Sequence, residues 1–238
     1  MRNIVRADLG RIFRKPSFYV FVVLTLIYLA TREPADTAAD QIEYLKNYLD
    51  FTMLFAISIP VFLGVYSDDF KNGSIINGIG KGLSRKKVVF AKLIDVAAVL
   101  TIFYSAAFVV ALIKNMTAGI AVTPKQNLAL LLYCLFCVLR GVGFFSFASL
   151  VLFLTWNPSG GMATLLILLA CARLGLGIVQ NKFNIPVYDW SFDGLMEKAY
   201  ARFVIGDFGW HIIPALLIYI GGAVFLTALV FKKREIDL

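Results

Sequence analysis

Charged residues, histidine and cysteine are all scarce in this 238-residue sequence. Only 16% of the residues are charged, whereas 60% are hydrophobic, and the mean hydropathy is +0.79. This composition excludes a soluble protein with a core of ordinary proportions. The one histidine, His211, cannot build a metal cluster alone. Cys134, Cys137 and Cys171 lie in hydrophobic runs without the paired spacing of a disulfide framework or a zinc site, so we expect no metal site.

The sequence patterns of several enzyme classes are also missing. The glycine-rich run from Gly73 to Gly82 does not fit the phosphate-binding loop Gly-x-x-x-x-Gly-Lys-Ser/Thr, because Lys81 is followed by Gly82. The histidine pairs, paired carboxylates or Gly-x-Ser-x-Gly elbow of a membrane protease or phosphatase do not occur at membrane depth. We therefore expect no catalytic residues and no cofactor bound to this chain.

The net charge of +8 is spread unevenly along the chain. Five lysines and arginines precede Ser17, six lie from Lys71 to Lys92 and three follow Phe231, whereas seven fall in the segments assigned below to the outer side. This twofold bias fits the positive-inside rule, which predicts that both termini are cytoplasmic. It favours a topological explanation of the charge over nucleic-acid binding, and we expect no nucleic-acid partner.

Hydrophobic runs predict an all-α, polytopic membrane protein with six transmembrane helices in one domain, 1–238. A bilayer core of about 30 Å requires about 20 apolar residues per helix. The predicted spans are 17–31, 50–66, 88–113, 128–154, 162–179 and 211–231.

The segments between the spans have distinct compositions. Residues 1–16 predict an amphipathic interfacial helix, 67–87 a basic, glycine-rich cytoplasmic loop, and 180–210 an extracellular segment whose aromatic residues favour short helices folded back onto the bilayer. Pro60 is expected to kink the second span. A cleaved signal peptide is an alternative reading of the start, but its removal would leave an odd number of spans.

Charged residues inside spans need partners or water, because each costs about 2.5–3.5 kcal/mol at the centre of a membrane helix. Axial depth places Asp95 and Arg140 at nearly the same level, so we predict an intramembrane Asp95–Arg140 pair. Arg173 has no evident acidic partner in any span. It faces either a hydrated transport pathway or backbone carbonyls within the bundle, and the sequence leaves both open.

The order of features resembles the permease family of type 2 ABC transporters. An amphipathic basic helix and a first span are followed by a second span that ends in the acidic pair Asp68 and Asp69. Then come an acidic-x-x-x-Gly-Ser element, a Ser-Arg pair and a lysine that opens the third span. The matching residues are Asp69, Gly73, Ser74, Ser84, Arg85 and Lys92. Asp69 stands where the family usually has glutamate, and Leu83 where it often has proline.

The resemblance implies a permease subunit of a bacterial ATP-driven exporter in the cytoplasmic membrane. It would form a homodimer or heterodimer with a second permease, in contact with membrane lipid, and would dock a cytoplasmic ABC ATPase subunit that carries ATP and Mg²⁺. The docking or coupling residues would be Asp68, Asp69, Gly73, Ser74, Ser84 and Arg85. By analogy, the substrate would be an amphipathic peptide or a hydrophobic, drug-like compound.

Two other readings stay open. The chain could be a membrane immunity or assembly protein that binds a partner without an ATPase, and the basic loop could be a simple solvated connector. An ion-coupled carrier is less favoured, because intramembrane carboxylates to carry protons or sodium are scarce.

Overall fold

The computed structural model describes residues 2–31, 37–204 and 212–233, which form helices and the turns between them. The helices are α1 (Arg2–Ile12), α2 (Pro16–Thr31), α3 (Ala38–Lys71), α4 (Ser74–Gly80), α5 (Arg85–Thr117), α6 (Pro124–Thr155), α7 (Pro158–Ala170), α8 (Ala172–Phe183), α9 (Val187–Trp190), α10 (Phe192–Val204) and α11 (Ile212–Lys233). The all-helical expectation is confirmed for this part of the chain.

Helix α3 is longer than predicted, because the expected surface helix and second span are one continuous element. Its turns are π-helical at Tyr48–Met53 and again at Leu63–Ser67, on either side of the α-helical stretch Leu54–Phe62. Pro60 lies within that stretch and has no N–H to donate. The wider π-helical turn that follows lets the helix continue past the proline.

Helix α6 is the central element of the bundle and packs against α5, α7 and α11. Thr123 and Gln126 cap its start reciprocally, with Pro124 at the first helical position. Trp156 ends it in the left-handed conformation, φ 59°. The Asn157 side chain then accepts the Ser159 N–H at 2.9 Å and starts α7. These local signals explain the tight turn that the sequence predicts here.

Four helices, α3, α5, α6 and α11, are long and apolar enough to cross a membrane. Two bent pairs pass the same test jointly: Ile4–Ile12 with α2, at 68°, and α7 with Leu174–Phe183, at 52°. The described residues therefore give four spans, or up to six if each bent pair is one span. These helices make the chain a membrane-embedded, multi-pass protein.

The predicted boundaries agree with the structure to different degrees. Helix α2 fits the predicted span 17–31, and α5 and α6 extend beyond 88–113 and 128–154 at both ends. The predicted fifth span, 162–179, falls on α7 and α8, which are separated at Cys171 and form one of the two bent pairs.

The remaining predicted segments are covered in part. Short helices α9 and α10 occupy the predicted outer segment as far as 204. Residues 205–210 of that segment, His211 at the predicted start of the last span, and the basic tail from Arg234 lie outside the described residues.

Candidate functional site

Two glycines with positive φ hold α4 between the long helices α3 and α5. Gly73, at φ 63°, stands between the end of α3 and the start of α4. Gly82, at φ 89°, ends α4 in a Schellman motif: the Leu83 N–H donates to the Gly78 carbonyl at 3.1 Å and the Gly82 N–H to the Ile79 carbonyl at 2.9 Å. Both positions require a left-handed conformation that glycine adopts without strain. The predicted loop is therefore a short, capped helix.

The carboxylate of Asp69, in the last turn of α3, is the centre of a charged cluster. It accepts hydrogen bonds from the Arg11 guanidinium, the Lys92 ammonium and, at 2.8 Å, the Ser74 hydroxyl. Lys92 also donates to the Asp8 carboxylate at 2.6 Å, and the Arg11 guanidinium lies 3.7 Å from the Asp8 carboxylate. The cluster joins α1, α3, the start of α4 and α5. Lys92 and Ser74, which carry the family resemblance, thus meet at Asp69.

Asp69 and Lys92 are almost completely buried, at 2% and 3% exposure. Buried charges are retained where opposite charges and hydrogen bonds compensate for lost hydration. The Arg11 guanidinium on α1 is permanently charged, and its hydrogen bond to Asp69 supplies part of this compensation. The Asp69 side chain therefore faces its own chain, and its predicted part in coupling stays a prediction.

The other predicted coupling residues also make contacts within the chain. Asp68 forms an ion pair with Lys15, just before α2. The Ser84 hydroxyl accepts the Lys87 N–H at 3.4 Å, where α5 begins. The Arg85 guanidinium donates to the carbonyls of Phe231 and Lys232, at 2.9 and 3.1 Å. Because carbonyls at a helix C-terminus lack intrahelical donors, Arg85 caps α11 and ties it to α5.

Ser74 and Ser84 are exposed, and several residues beside the predicted coupling residues are exposed as well. Asn77 on α4 and Lys81 just after it are exposed, as is Lys71 before it, whereas Ile75 is buried against the bundle. A partner that meets this end of the molecule would therefore contact a small basic and polar surface, which we call the α4 surface: Lys71, Asn77 and Lys81. All three residues lie within the predicted 68–87 docking loop, although the sequence analysis did not single them out.

The predicted Asp95–Arg140 pair is wrong. Arg140 lies near the middle of α6 and pairs with Asp50 of α3 and with Asp193 of α10. Asp95 is fully buried on α5, and neither of its carboxylate oxygens has a hydrogen-bond partner among the described residues. The intramembrane cation is compensated, but by two carboxylates from other helices.

The Asp95–Arg140 prediction failed because the sequence analysis placed the ends of α5 and α6 at the wrong residues. Arg140 is fifteen residues before Thr155, about 22 Å along α6, whereas Asp95 is ten residues after Arg85, about 15 Å along α5. If these two helix ends lie at the same depth, the depths of the two side chains differ by more than one helical turn. Axial depth also leaves undetermined the direction in which a side chain points around its helix.

Helix α10 is attached to the bundle by packing as well as by the Asp193 charge. The Phe192 ring is 5% exposed and lies directly over Gly143, where an added Cβ would come within 2.0 Å of it. A small cavity of about 40 Å³ beside Arg140 is lined in part by Glu197 and Tyr200 of α10. That volume suits one water rather than a transported compound.

Arg173 lies at the start of α8, just after the break at Cys171. Its side chain lies outside the described residues, so its two predicted environments stay predictions.

Several residues of the two charged clusters were not predicted. Arg11 and Asp8 stand three apart on α1, a spacing that places them on one helix face and signals a paired site. Asp50 and Asp193 carry no local signal that points to Arg140. No family model matches the chain, and no curated protein or solved structure matches it either.

Proposed function

We propose that this chain is the permease subunit of an ATP-driven exporter of the type 2 ABC class. The observation that carries the proposal is the Asp69 cluster, in which Ser74, Arg11 and Lys92 converge on one buried carboxylate. Asp69, Ser74 and Lys92 are also residues on which the family resemblance rests. Residues of a merely solvated connector would have no need to converge in this way.

The cluster makes α4 a suitable element for transmitting force. Gly73 and Gly82 bound it as a separate short helix, and Asp69 connects its first residue to α1, α3 and α5. Movement of α4 would therefore displace three helices together rather than bend a flexible loop. Chains of packed helices and ion pairs of this kind can carry energetic coupling between two sites.

In this proposal, a cytoplasmic ATPase subunit binds the α4 surface, Lys71, Asn77 and Lys81. ATP and Mg²⁺ belong to that subunit, and this chain performs no chemistry itself. A second permease, identical or different, completes the pathway in the bacterial cytoplasmic membrane. The positive-inside distribution supports a cytoplasmic position for this end of the bundle. An amphipathic peptide or hydrophobic compound as substrate rests on the family resemblance alone.

The test is co-purification from membranes of cells that express the chain together with the neighbouring reading frames of its own gene cluster. We expect an ATPase subunit to co-purify with the natural chain and to be lost with Asn77→Asp combined with Lys81→Glu. Both side chains are exposed, so the variant keeps its internal contacts. The matched control is Lys125→Glu, an exposed reversal at the start of α6, at the opposite end of that helix from Thr155.

Two outcomes would contradict the proposal. If no ATPase co-purifies with the natural chain, the ATPase-independent immunity or assembly protein becomes the better reading. If an ATPase co-purifies equally with all three chains, the α4 surface is not its docking site. Nucleotide hydrolysis by the purified complex, measured with and without the reversal, gives a second readout of the same contact.

A further inference from the structure

A long apolar groove runs between α5 and α11 on the outside of the bundle. Its volume is about 550 Å³, within the range of ligand sites in proteins, and its lining is almost entirely hydrophobic. Phe90 borders it on α5, and Leu217, Gly221 and Phe225 on α11. Phe90, Leu217 and Phe225 are exposed, and both helices belong to the four that are long and apolar enough to cross a membrane.

The groove has one polar end. Lys86 lines it there, one residue after Arg85, whose guanidinium binds the last carbonyls of α11. Lys232 and Lys233 follow at that end of α11 and are exposed, as is Lys86. None of these three lysines forms an ion pair with another described residue.

The length of the groove matches one leaflet of a bilayer. Leu229 lies twelve positions after Leu217, so the lining on α11 is about 18 Å long. Half of a hydrocarbon core of about 30 Å is about 15 Å. The lysines thus lie at headgroup depth when the apolar lining lies at acyl-chain depth.

We propose that this groove is a binding site for an anionic phospholipid, with an acyl chain along α11 and the phosphate at Lys86, Lys232 and Lys233. The three lysines favour an anionic headgroup over that of a neutral lipid, because their positive charges attract it. Basic pockets between membrane helices recognise anionic headgroups, and each lysine near the surface strengthens that attraction. The site is independent of any ATPase.

Gly221 gives the acyl-chain part of the site a direct test. A Cβ added at Gly221 or at its neighbour Gly222 meets no atom within 4 Å, so both positions accept a larger side chain without a collision. Only Gly221 lines the groove. Gly221→Leu should therefore fill the groove, whereas Gly222→Leu is a matched control on the same turn.

The experiment is native mass spectrometry of the full chain in mild detergent, titrated with phosphatidylglycerol or with phosphatidylcholine of the same acyl chains. We expect one phosphatidylglycerol to bind more tightly than phosphatidylcholine. The preference should fall about fivefold for each charge removed by Lys86→Gln and Lys232→Gln. Lys125→Gln with Lys182→Gln removes two exposed charges outside the groove and should leave it unchanged.

The remaining outcomes overturn the proposal. Equal binding of the two lipids, or equal loss in the groove and control lysine variants, would mean non-specific lipid association. Retention of phosphatidylglycerol by Gly221→Leu would place the lipid elsewhere. A change from dimer to monomer in Gly221→Leu, with unchanged lipid binding, would assign the groove to a second copy of the chain.

Discussion

Asp193, at the start of α10, forms an ion pair with Arg140 at the middle of α6. The same guanidinium pairs with Asp50 on α3, so two carboxylates share one cation. All three side chains are at most 15% exposed. This cluster connects α10 to α6 and α3 at the middle of the bundle.

Removing the cation should destabilise the protein more than removing either acid. Arg140→Gln removes the guanidinium that the buried carboxylates of Asp50 and Asp193 share, which costs about 3–5 kcal/mol of unfolding free energy. Asp193→Asn leaves the Arg140–Asp50 pair and should cost about 1–2 kcal/mol. Thermal unfolding of the detergent-solubilised chain measures both. The triple variant Arg140→Gln, Asp50→Asn, Asp193→Asn should recover stability relative to Arg140→Gln, and its failure to do so would contradict the shared-charge account.

Asp95 should behave in the opposite way, because it is fully buried and no described residue donates a hydrogen bond to its carboxylate oxygens. Of the charged groups near it, Lys92 is attractive and Asp8 is repulsive. Asp95→Asn keeps the shape of the side chain and removes the cost of burying a charge. We expect the thermal midpoint to stay unchanged or to rise. A large fall, comparable with that of Arg140→Gln, would mean that the carboxylate has an essential partner, as the original pairing hypothesis held.

Arg140 and Asp95 show which features could be predicted from the sequence and which could not. Hydrophobic runs located α2, α5 and α6, since a membrane span needs a minimum length of apolar residues. Local residues also predicted the turn at Trp156. The need of Arg140 for a carboxylate followed from the cost of a charge in the membrane, but the identity of that carboxylate depends on which helices are neighbours, which one sequence does not state.

The contacts of Asp69 also could not be predicted from the sequence. A polar stretch between two apolar runs reads as solvent-exposed, and the sequence placed Asp69 on a docking surface. The structure buries it because Arg11, far earlier in the chain, and Lys92, a full loop later, reach the same carboxylate. Pairing over such separations has no local pattern. The break at Cys171 likewise has no proline to mark it.

Adjacent aspartates provide a matched test of that cluster. Asp69→Asn removes the charge of a buried side chain and leaves Arg11 and Lys92 to share Asp8, so we expect a loss of about 3 kcal/mol of unfolding free energy. Asp68 pairs with Lys15 at a more exposed position, and Asp68→Asn should cost at most about 1 kcal/mol. Thermal unfolding of the two variants compares them directly. Equal losses would contradict the central place of Asp69.

Gly73, which precedes α4, and Gly80, its last residue, test whether the shape of this short helix depends on backbone conformation. A Cβ at either position meets no atom within 4 Å, so steric collision affects neither variant. Only Gly73 has a positive φ, 63°. Gly73→Ala should therefore destabilise α4 by about 1–2 kcal/mol, because alanine is strained in the left-handed conformation. Gly80→Ala should stabilise α4 by about 0.5–1 kcal/mol, because alanine lowers the conformational entropy of the unfolded chain.

Hydrogen exchange of the amides in residues 74–80 resolves these local effects. Gly73→Ala should speed exchange by about five- to thirtyfold, and Gly80→Ala should slow it by about two- to fivefold. A global thermal midpoint would register such local opening only weakly, which is why exchange is the better measurement. If both alanines slow exchange, α4 tolerates a different turn at residue 73, and a rigid connection from α4 through Asp69 to the bundle would have lost its structural basis.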